Sequence, residues 1–343
     1  MKIVLFGHTG FAGRNVAAEL GSQDADFAGA SRSTGVDLAD PVATGAFLRK
    51  HRPTHIVNCA AHVGSLNYVT EKAATVVADN SRMILGMYEA VARECPDAVV
   101  VNPIANCAFP AAADIFREDA WWNGHLHRSV LSYGTTRRLL WAVAECFQMQ
   151  HGVRSVHLLT PNMYGPHDST DPNKAHALNA LISKFVKAEM LNQPKLCIWG
   201  TGRPVREWLY APDFARLVWQ VLQNPERPGL EQPTNLAQNA GLSVKQLVNI
   251  IQAKFNYHGR LVWDRTMADG APKKVMDDTK FRQLFPNFQF TNFHTGIAET
   301  VKYYESVFQI QAQVLCSVAA QMNFAAATLE THRISAQLVA RTA

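Results

Sequence analysis

Gly7-His8-Thr9-Gly10-Phe11-Ala12-Gly13 is the first stretch of the chain whose residue types and spacing can do chemistry. GxxGxxG lets a backbone approach a pyrophosphate closely, and a helix that starts there turns free N–H groups toward the negative charge. Four apolar residues, Ile3 to Phe6, precede the loop, and Arg14 to Leu20 follows as a helix, so the strand–turn–helix context is complete. Gly7, Thr9, Gly10, Phe11, Ala12, Gly13 and Arg14 are therefore candidates for holding a dinucleotide. The next strand ends in Ser31-Arg32-Ser33, where an acidic residue would instead accept from the ribose 2′-hydroxyl of NAD. A cation suits a 2′-phosphate, so Arg32, assisted by Arg14, leads to an expectation of NADP(H); otherwise Arg32 is a solvated loop charge. Asp37 and Leu38 are placed beside the adenine.

A second pair is Tyr133 and Arg137, four residues apart at the start of an apolar helix and so on one face of it. A cation there can lower the phenol's pKa and make Tyr133 a proton donor or acceptor near neutral pH. The spacing is common by chance; its place one strand after Val99 to Asn102, in a dinucleotide-binding pattern, gives it weight.

These residues need a frame. Strand signals at Ile3 to Phe6, Phe27 to Ser31, His55 to Ala61, Ala98 to Asn102 and Val153 to Thr160 alternate with helices over Glu71 to Glu94 and Ser132 to Gln150. Such repeats need crossover connections, which predicts an α/β fold: a Rossmann-type doubly wound parallel sheet with helices on both faces. From about Asn162 the loops lengthen, and helices are predicted over His176 to Leu191, Pro212 to Gln223 and Val244 to Phe255, with a strand over Lys195 to Trp199. The expected division is a dinucleotide-binding domain over 1–161, with part of the later chain returning to it, and a smaller α/β substrate lobe over 162–309. A tail over 310–343, rich in Ala and Gln, reads as one or two amphipathic helices for packing or oligomerisation, or as a partly disordered end.

Composition narrows the classes. The 343 residues are 48% hydrophobic and 18% charged, which excludes a disordered or fibrous chain. A net charge of +5 without a block of five like charges argues against dedicated nucleic-acid binding. The six cysteines form no CxxC pair, no metal site is indicated, and no apolar run reaches the ~18 residues of a membrane span. A soluble, cytoplasmic protein with reduced thiols is expected.

Several further motifs stand in a fixed order: Ala60-Ala61-His62-Val63-Gly64, Asn106-Cys107-Ala108-Phe109-Pro110 and Asn162-Met163-Tyr164-Gly165-Pro166-His167-Asp168. Lys174-Ala175-His176 follows, then Trp199-Gly200-Thr201-Gly202-Arg203-Pro204-Val205-Arg206-Glu207-Trp208-Leu209 and Asp269-Gly270-Ala271-Pro272-Lys273-Lys274. With them the chain resembles, over roughly residues 1 to 308, the extended short-chain dehydrogenase/reductase family, and within it the GDP-L-fucose synthases (GDP-4-keto-6-deoxy-D-mannose 3,5-epimerase-4-reductases). The resemblance implies proton exchange at C3 and C5 of a 4-keto-sugar nucleotide by Cys107 and His176, then hydride transfer from NADPH to C4 with Tyr133 protonating the alkoxide. It adds Ala60 and Ala61 to the cofactor residues. Asn162, Trp199 and Arg206 become substrate residues, with Lys184, two turns beyond His176, and Lys274 adding charge for the diphosphate.

Two positions depart from that family. Its lysine, four residues after the tyrosine, is Arg137, and its serine, two residues before the cysteine, is Ala105, which leaves Asn106 as a substitute donor. Both departures touch the reductase half, so proton exchange is expected to be better preserved than reduction. The competing expectation is a redox-impaired, nucleotide-sugar-binding regulatory protein. The expected partner is a small nucleotide sugar, GDP-linked, with neither nucleic acid nor membrane. A homodimer is expected through the helices near Glu71 to Glu94 and Ser132 to Gln150.

Overall fold

The computed structural model describes residues 1–171, 174–255, 257–267, 269–311 and 313. In chain order the elements of the first part are β1 (Ile3–Phe6), α1 (Phe11–Ser22), β2 (Phe27–Ala30), α2 (Pro41–His51), β3 (His55–Asn58), α3 (Leu66–Glu71), α4 (Ala73–Glu94), β4 (Val99–Ala105), α5 (Leu131–His151) and β5 (Ser155–Thr160). The second part holds β6 (Asn162–Tyr164), α6 (Ala177–Met190), β7 (Lys195–Trp199), β8 (Val205–Tyr210), α7 (Ala211–Gln223), β9 (Thr234–Asn235), β10 (Gly241–Ser243), α8 (Val244–Gln252), β11 (Arg260–Asp264), β12 (Lys273–Lys274) and α9 (Thr279–Leu284). A helix over 293–311, α10, follows.

Six strands form one parallel sheet in the order β2-β1-β3-β4-β5-β9, the doubly wound arrangement. Alternation along β1 shows how the two faces are filled. Val4 and Phe6 join a core with Leu48 of α2, Met87 of α4 and Leu140 of α5. Ile3 and Leu5 point the other way, onto Val16 and Leu20 of α1, Phe214 and Leu217 of α7 and Phe281 of α9. The chain from α7 through β9 thus packs on the large sheet, although it follows the first strands of the second lobe. That lobe has its own core, with Ile182 and Phe185 of α6, Trp208 of β8, Ile251 of α8 and Tyr304 of α10.

Several elements differ from the sequence reading. Pro41–His51 is helical where no element was expected; Asp40 caps it by accepting from the Val42 and Ala43 N–H groups, with Pro41 at the first turn. The helix predicted over 71–94 is α4, starting two residues later, and is preceded by the short α3, which was not expected; the strand expected to reach Ala61 stops at Asn58. Met87 and Leu140, on the two helices through which a homodimer is expected, are completely buried in the monomer's own core. The Ala/Gln-rich tail lies, beyond its first residues, outside the described residues.

Candidate active site

The glycine loop is built for close approach. Gly7 has φ +73°, and a Cβ on Gly13 would lie 2.1 Å from the Gly7 carbonyl oxygen, so α1 can reach β1 this closely only without that side chain. Arg14 folds back over the loop, its Nε donating to the Thr9 carbonyl at 3.0 Å. The Thr9 and Ser33 hydroxyls are 3.2 Å apart, which ties the loop to the turn carrying the exposed Arg32. Asp37 spends a carboxylate oxygen on the Ala39 N–H. Leu38, expected beside the adenine, has its side chain in the core with residues of α2 and α4, which leaves its backbone to make any such contact. Gly10, Phe11, Ala12, Ala60 and Ala61 line a cavity of about 580 Å³ that runs from this loop into the second lobe.

Cys107, His176 and Tyr133 line that same cavity. The large sheet delivers two of them. Cys107 sits in a one-turn helix directly after β4, and Tyr133 in the first turn of α5. They meet because residue 134 is glycine: a Cβ there would be 2.5 Å from the Cys107 carbonyl oxygen. His176 comes from the second lobe, at the N-cap of α6, with its ring 4.9 Å from that of Phe11.

Electrostatics assign states to the three. Burial would lower the His176 pKa, but Asp168 outweighs it, and the imidazole is held above its ordinary value. One oxygen of Asp168 accepts from His176 Nδ1 at 3.1 Å, from its backbone N–H at 2.8 Å and from Asn179 Nδ2 at 2.8 Å. Burial pushes the Cys107 thiol up, against the pull of Lys274 and Arg137. Tyr133 corrects an expectation. Arg137 does lie over its ring, 4.9 Å from the centroid, and does pull the phenol down, but burial pushes it up by more. Tyr133 is therefore a protonated group, suited to donating. Arg137 is itself pinned, its Nη2 donating to Asn80 Oδ1 at 3.2 Å.

The far end of the cavity is cationic. Lys184, Arg206 and Lys274 line it with Asn162 and Trp199. Lys184 lies 4.0 Å from the centre of the Trp199 ring and donates to the Cys197 carbonyl, so in this state it covers the indole and not an open phosphate site. The Arg206 fork is partly used: Nη1 donates to the Val205 carbonyl and Nη2 to that of Asp269, and burial brings its pKa to about 10. Lys274, opposite Arg206 in the β8–β12 register, is brought by burial to about 8, with Cys107 pulling it upward. Asn162 donates weakly to the Glu207 carbonyl. Asn106 is buried at the centre of the cavity wall and its Nδ2 has no partner.

Asp168, Asn80 and Asp269 are positioning residues without a role in the sequence reading. Asp168 stands eight residues before His176 across a loop, and no periodicity joins them. Asn80 lies mid-helix in α4. Asp269 closes the Gly200–Gly202 turn by accepting from the Thr201 N–H and hydroxyl. Among the described residues, no cluster of His, Cys, Asp and Glu could hold a metal ion, and no helix is long and apolar enough to cross a membrane.

Residues 3–237 match the NAD dependent epimerase/dehydratase family. The chain belongs to that family. It is 26% identical over 306 residues to a probable GDP-L-fucose synthase 1 of Oryza sativa subsp. japonica, covering 88% of this chain and 92% of the relative. It is 26% identical over 309 residues to the GDP-L-colitose synthase of Yersinia pseudotuberculosis, covering 89% and 98%. Among solved structures, a GDP-L-fucose synthetase from Naegleria fowleri bound to NADP superposes with a TM-score of 0.78 at 25% identity, over 90% of this chain and 95% of that one.

Proposed function

We propose that this protein is an NADP(H)-dependent nucleotide-sugar epimerase/reductase acting on a GDP-4-keto-6-deoxy-hexose or a related keto-sugar. The observation that carries this reading is the convergence of a thiol, an imidazole and a phenol on one cavity whose far end is cationic. Its volume is that of an ordinary ligand site. The names of the rice, Yersinia and Naegleria relatives support a GDP-linked sugar, and the first two differ in the sugar itself.

The chain's own residues fit the dinucleotide. Gly7 and Gly13, where a Cβ would strike the backbone of Cys59 and of Gly7, hold the loop tight between β1 and α1, and Ser33 and Arg14 bond to Thr9 of that loop beside Arg32, where a 2′-phosphate would sit. NADPH held there would supply the hydride, with its electron pair, for reduction at C4 of the sugar. Cys107 and His176 exchange the protons at C3 and C5, which the neighbouring ketone acidifies. His176, held by Asp168, is the better-charged acid of the pair, and Cys107 needs Lys274 and Arg137 nearby to reach its thiolate. Tyr133 gives its proton to the oxygen that forms on C4. Lys184, Arg206 and Lys274 take the diphosphate, and Lys184 leaves the Trp199 ring to do so.

Ala105 favours a second reading, an enzyme that epimerises without efficient reduction, because no hydroxyl stands at that position. One experiment tests both. GDP-4-keto-6-deoxy-D-mannose is incubated in D2O with and without NADPH; deuterium at C3 and C5 is followed by NMR and NADPH by its absorbance. Incorporation lost in Cys107→Ser and His176→Asn supports the proposal, and NADPH consumption lost in Tyr133→Phe adds the reductase step. Incorporation without NADPH consumption selects the epimerase-only enzyme, and neither event defeats the proposal. We also place a homodimer contact on α4 and α5, where Leu85, Leu131 and Met149 are exposed, to be checked by light scattering.

A further inference from the structure

Asn106 is 3% exposed, and its Nδ2 is buried without a partner among the described residues. Buried carboxamides are rarely left so. It lines the cavity between Cys107 and the end of β4. Because the nitrogen is not held, the half-turn that exchanges it with the oxygen breaks no hydrogen bond of the N–H2, which can then face a ligand.

Three neutral donors that line the same cavity are already committed. The Thr160 hydroxyl donates to the Ile104 carbonyl, Asn58 Nδ2 to Asn102 Oδ1, and Asn162 Nδ2 to the Glu207 carbonyl. Ala105 offers none. Tyr133 is left with one proton to give.

We infer that Asn106 is a catalytic residue whose carboxamide N–H donates to the oxygen on C4 of the bound keto-sugar, stabilising the negative charge that gathers there. The inference rests on the proposed reaction. When a base takes the proton from C3 or C5, the C–H electron pair becomes the new C–C π bond and the carbonyl π pair moves onto O4. When the proton returns, the same pairs move back and the ketone is restored. The charge on O4 exists only between those two events, so a donor aimed at it raises kcat more than it lowers KM. An amide supplies this with no proton to lose, and therefore serves exchange and reduction alike.

The test is deuterium incorporation from D2O into GDP-4-keto-6-deoxy-D-mannose with no NADPH added, with thermal melts of each protein alongside. Asn106→Ala is expected to lose about 100-fold in kcat with KM nearly unchanged. Asn106→Asp, equal in size but an acceptor, is expected to lose at least as much, and it carries the test where the alanine variant melts early. Adding Ala105→Ser to Asn106→Ala is expected to recover part of the loss, by returning a hydroxyl to the same wall. Exchange at the wild-type rate in Asn106→Ala, or a loss wholly in KM, overturns the assignment alone. A wild-type protein that incorporates no deuterium overturns the proposed reaction, and this assignment with it.

Discussion

Glu207 offers a measurement that decides between two opposing effects. It lies on β8 beside Arg206, is 0% exposed, and fastens the strands that carry Arg206 and Lys274 to the cavity. Its Oε1 accepts from the Gln238 N–H at 2.5 Å and its Oε2 from the Met276 N–H at 2.8 Å. Burial pushes its pKa from the ordinary 4.5 up to about 7, against backbone N–H groups of Gln238, Met276 and Asn239 that favour the charged form. A carboxyl with a raised folded pKa favours the fold fully below pH 4.5, and that contribution is lost as pH rises toward 7. The shift of about 2.5 units is worth about 3 kcal/mol, of which about 2 kcal/mol falls between pH 5.5 and pH 8. At an unfolding entropy of ~2.1 cal/mol/K per residue, 2 kcal/mol in a chain of 343 residues moves Tm by about 3 °C. The comparison is Glu207→Gln, which cannot titrate. It should be less stable than wild type at pH 5.5, because its NH2 faces a backbone N–H in a dry site. That deficit should shrink by about 3 °C at pH 8, as read by parallel melting scans of the two proteins. A deficit that stays constant with pH, or grows, would mean that the N–H donors outweigh burial and that Glu207 is a carboxylate in the folded protein throughout.

Other perturbations follow from the same geometry. Asp168→Asn leaves burial unopposed at His176, so the acidic limb of the pH–rate profile for deuterium exchange should move to lower pH; an unmoved limb denies the pair its role. Gly13→Ala places a Cβ 2.1 Å from the Gly7 carbonyl oxygen. The loop relaxes away from that clash, and returning it to the shape that would hold a pyrophosphate, against a strain of about 3 kcal/mol, weakens NADPH binding by about 100-fold in a fluorescence titration; unchanged affinity would refute this role of the loop. Cys107 should alkylate slowly with iodoacetamide at neutral pH, and more slowly still in Lys274→Met, because the ammonium pulls the thiol pKa down. Labelling followed by mass spectrometry checks this, and faster labelling in the variant would contradict it.

Where the cause of a feature is local, the sequence shows it; where the cause is packing, it does not. The glycine loop is legible because its strand, turn and helix are consecutive, and the order of β1 to β5 follows from alternation alone. The helix over Pro41–His51 had a legible start in Asp40-Pro41, but with Thr44 and Gly45 inside it the periodicity gave no second sign. Strands β6, β9, β10 and β12 run two or three residues each, too short for any alternation, and exist because β8, β5 and Glu207 hold them. The phenol of Tyr133 shows the limit for chemistry. The i, i+4 cation was readable, whereas the burial that outweighs it comes from α5 pressing onto the backbone of Cys107 through Gly134, a contact between residues 27 apart.

The same distinction explains how the site can vary. Cys107, Asn106 and Tyr133 are placed by the large sheet, at the carboxyl end of β4 and the start of α5. His176, Lys184, Trp199, Arg206 and Lys274 are placed by the second lobe. Cys107 and His176 therefore come from different bodies of structure, and under the proposed reaction the sugar would bridge the cavity between them. Under the proposed reaction, a change on the sheet side, such as Ala105 or Arg137, would alter what happens at C4 without moving His176 or the cations of the second lobe. Under the proposed function, selection for a new keto-sugar chemistry could thus act on β4 and α5 while recognition of the nucleotide would stay with α6, β7, β8 and β12.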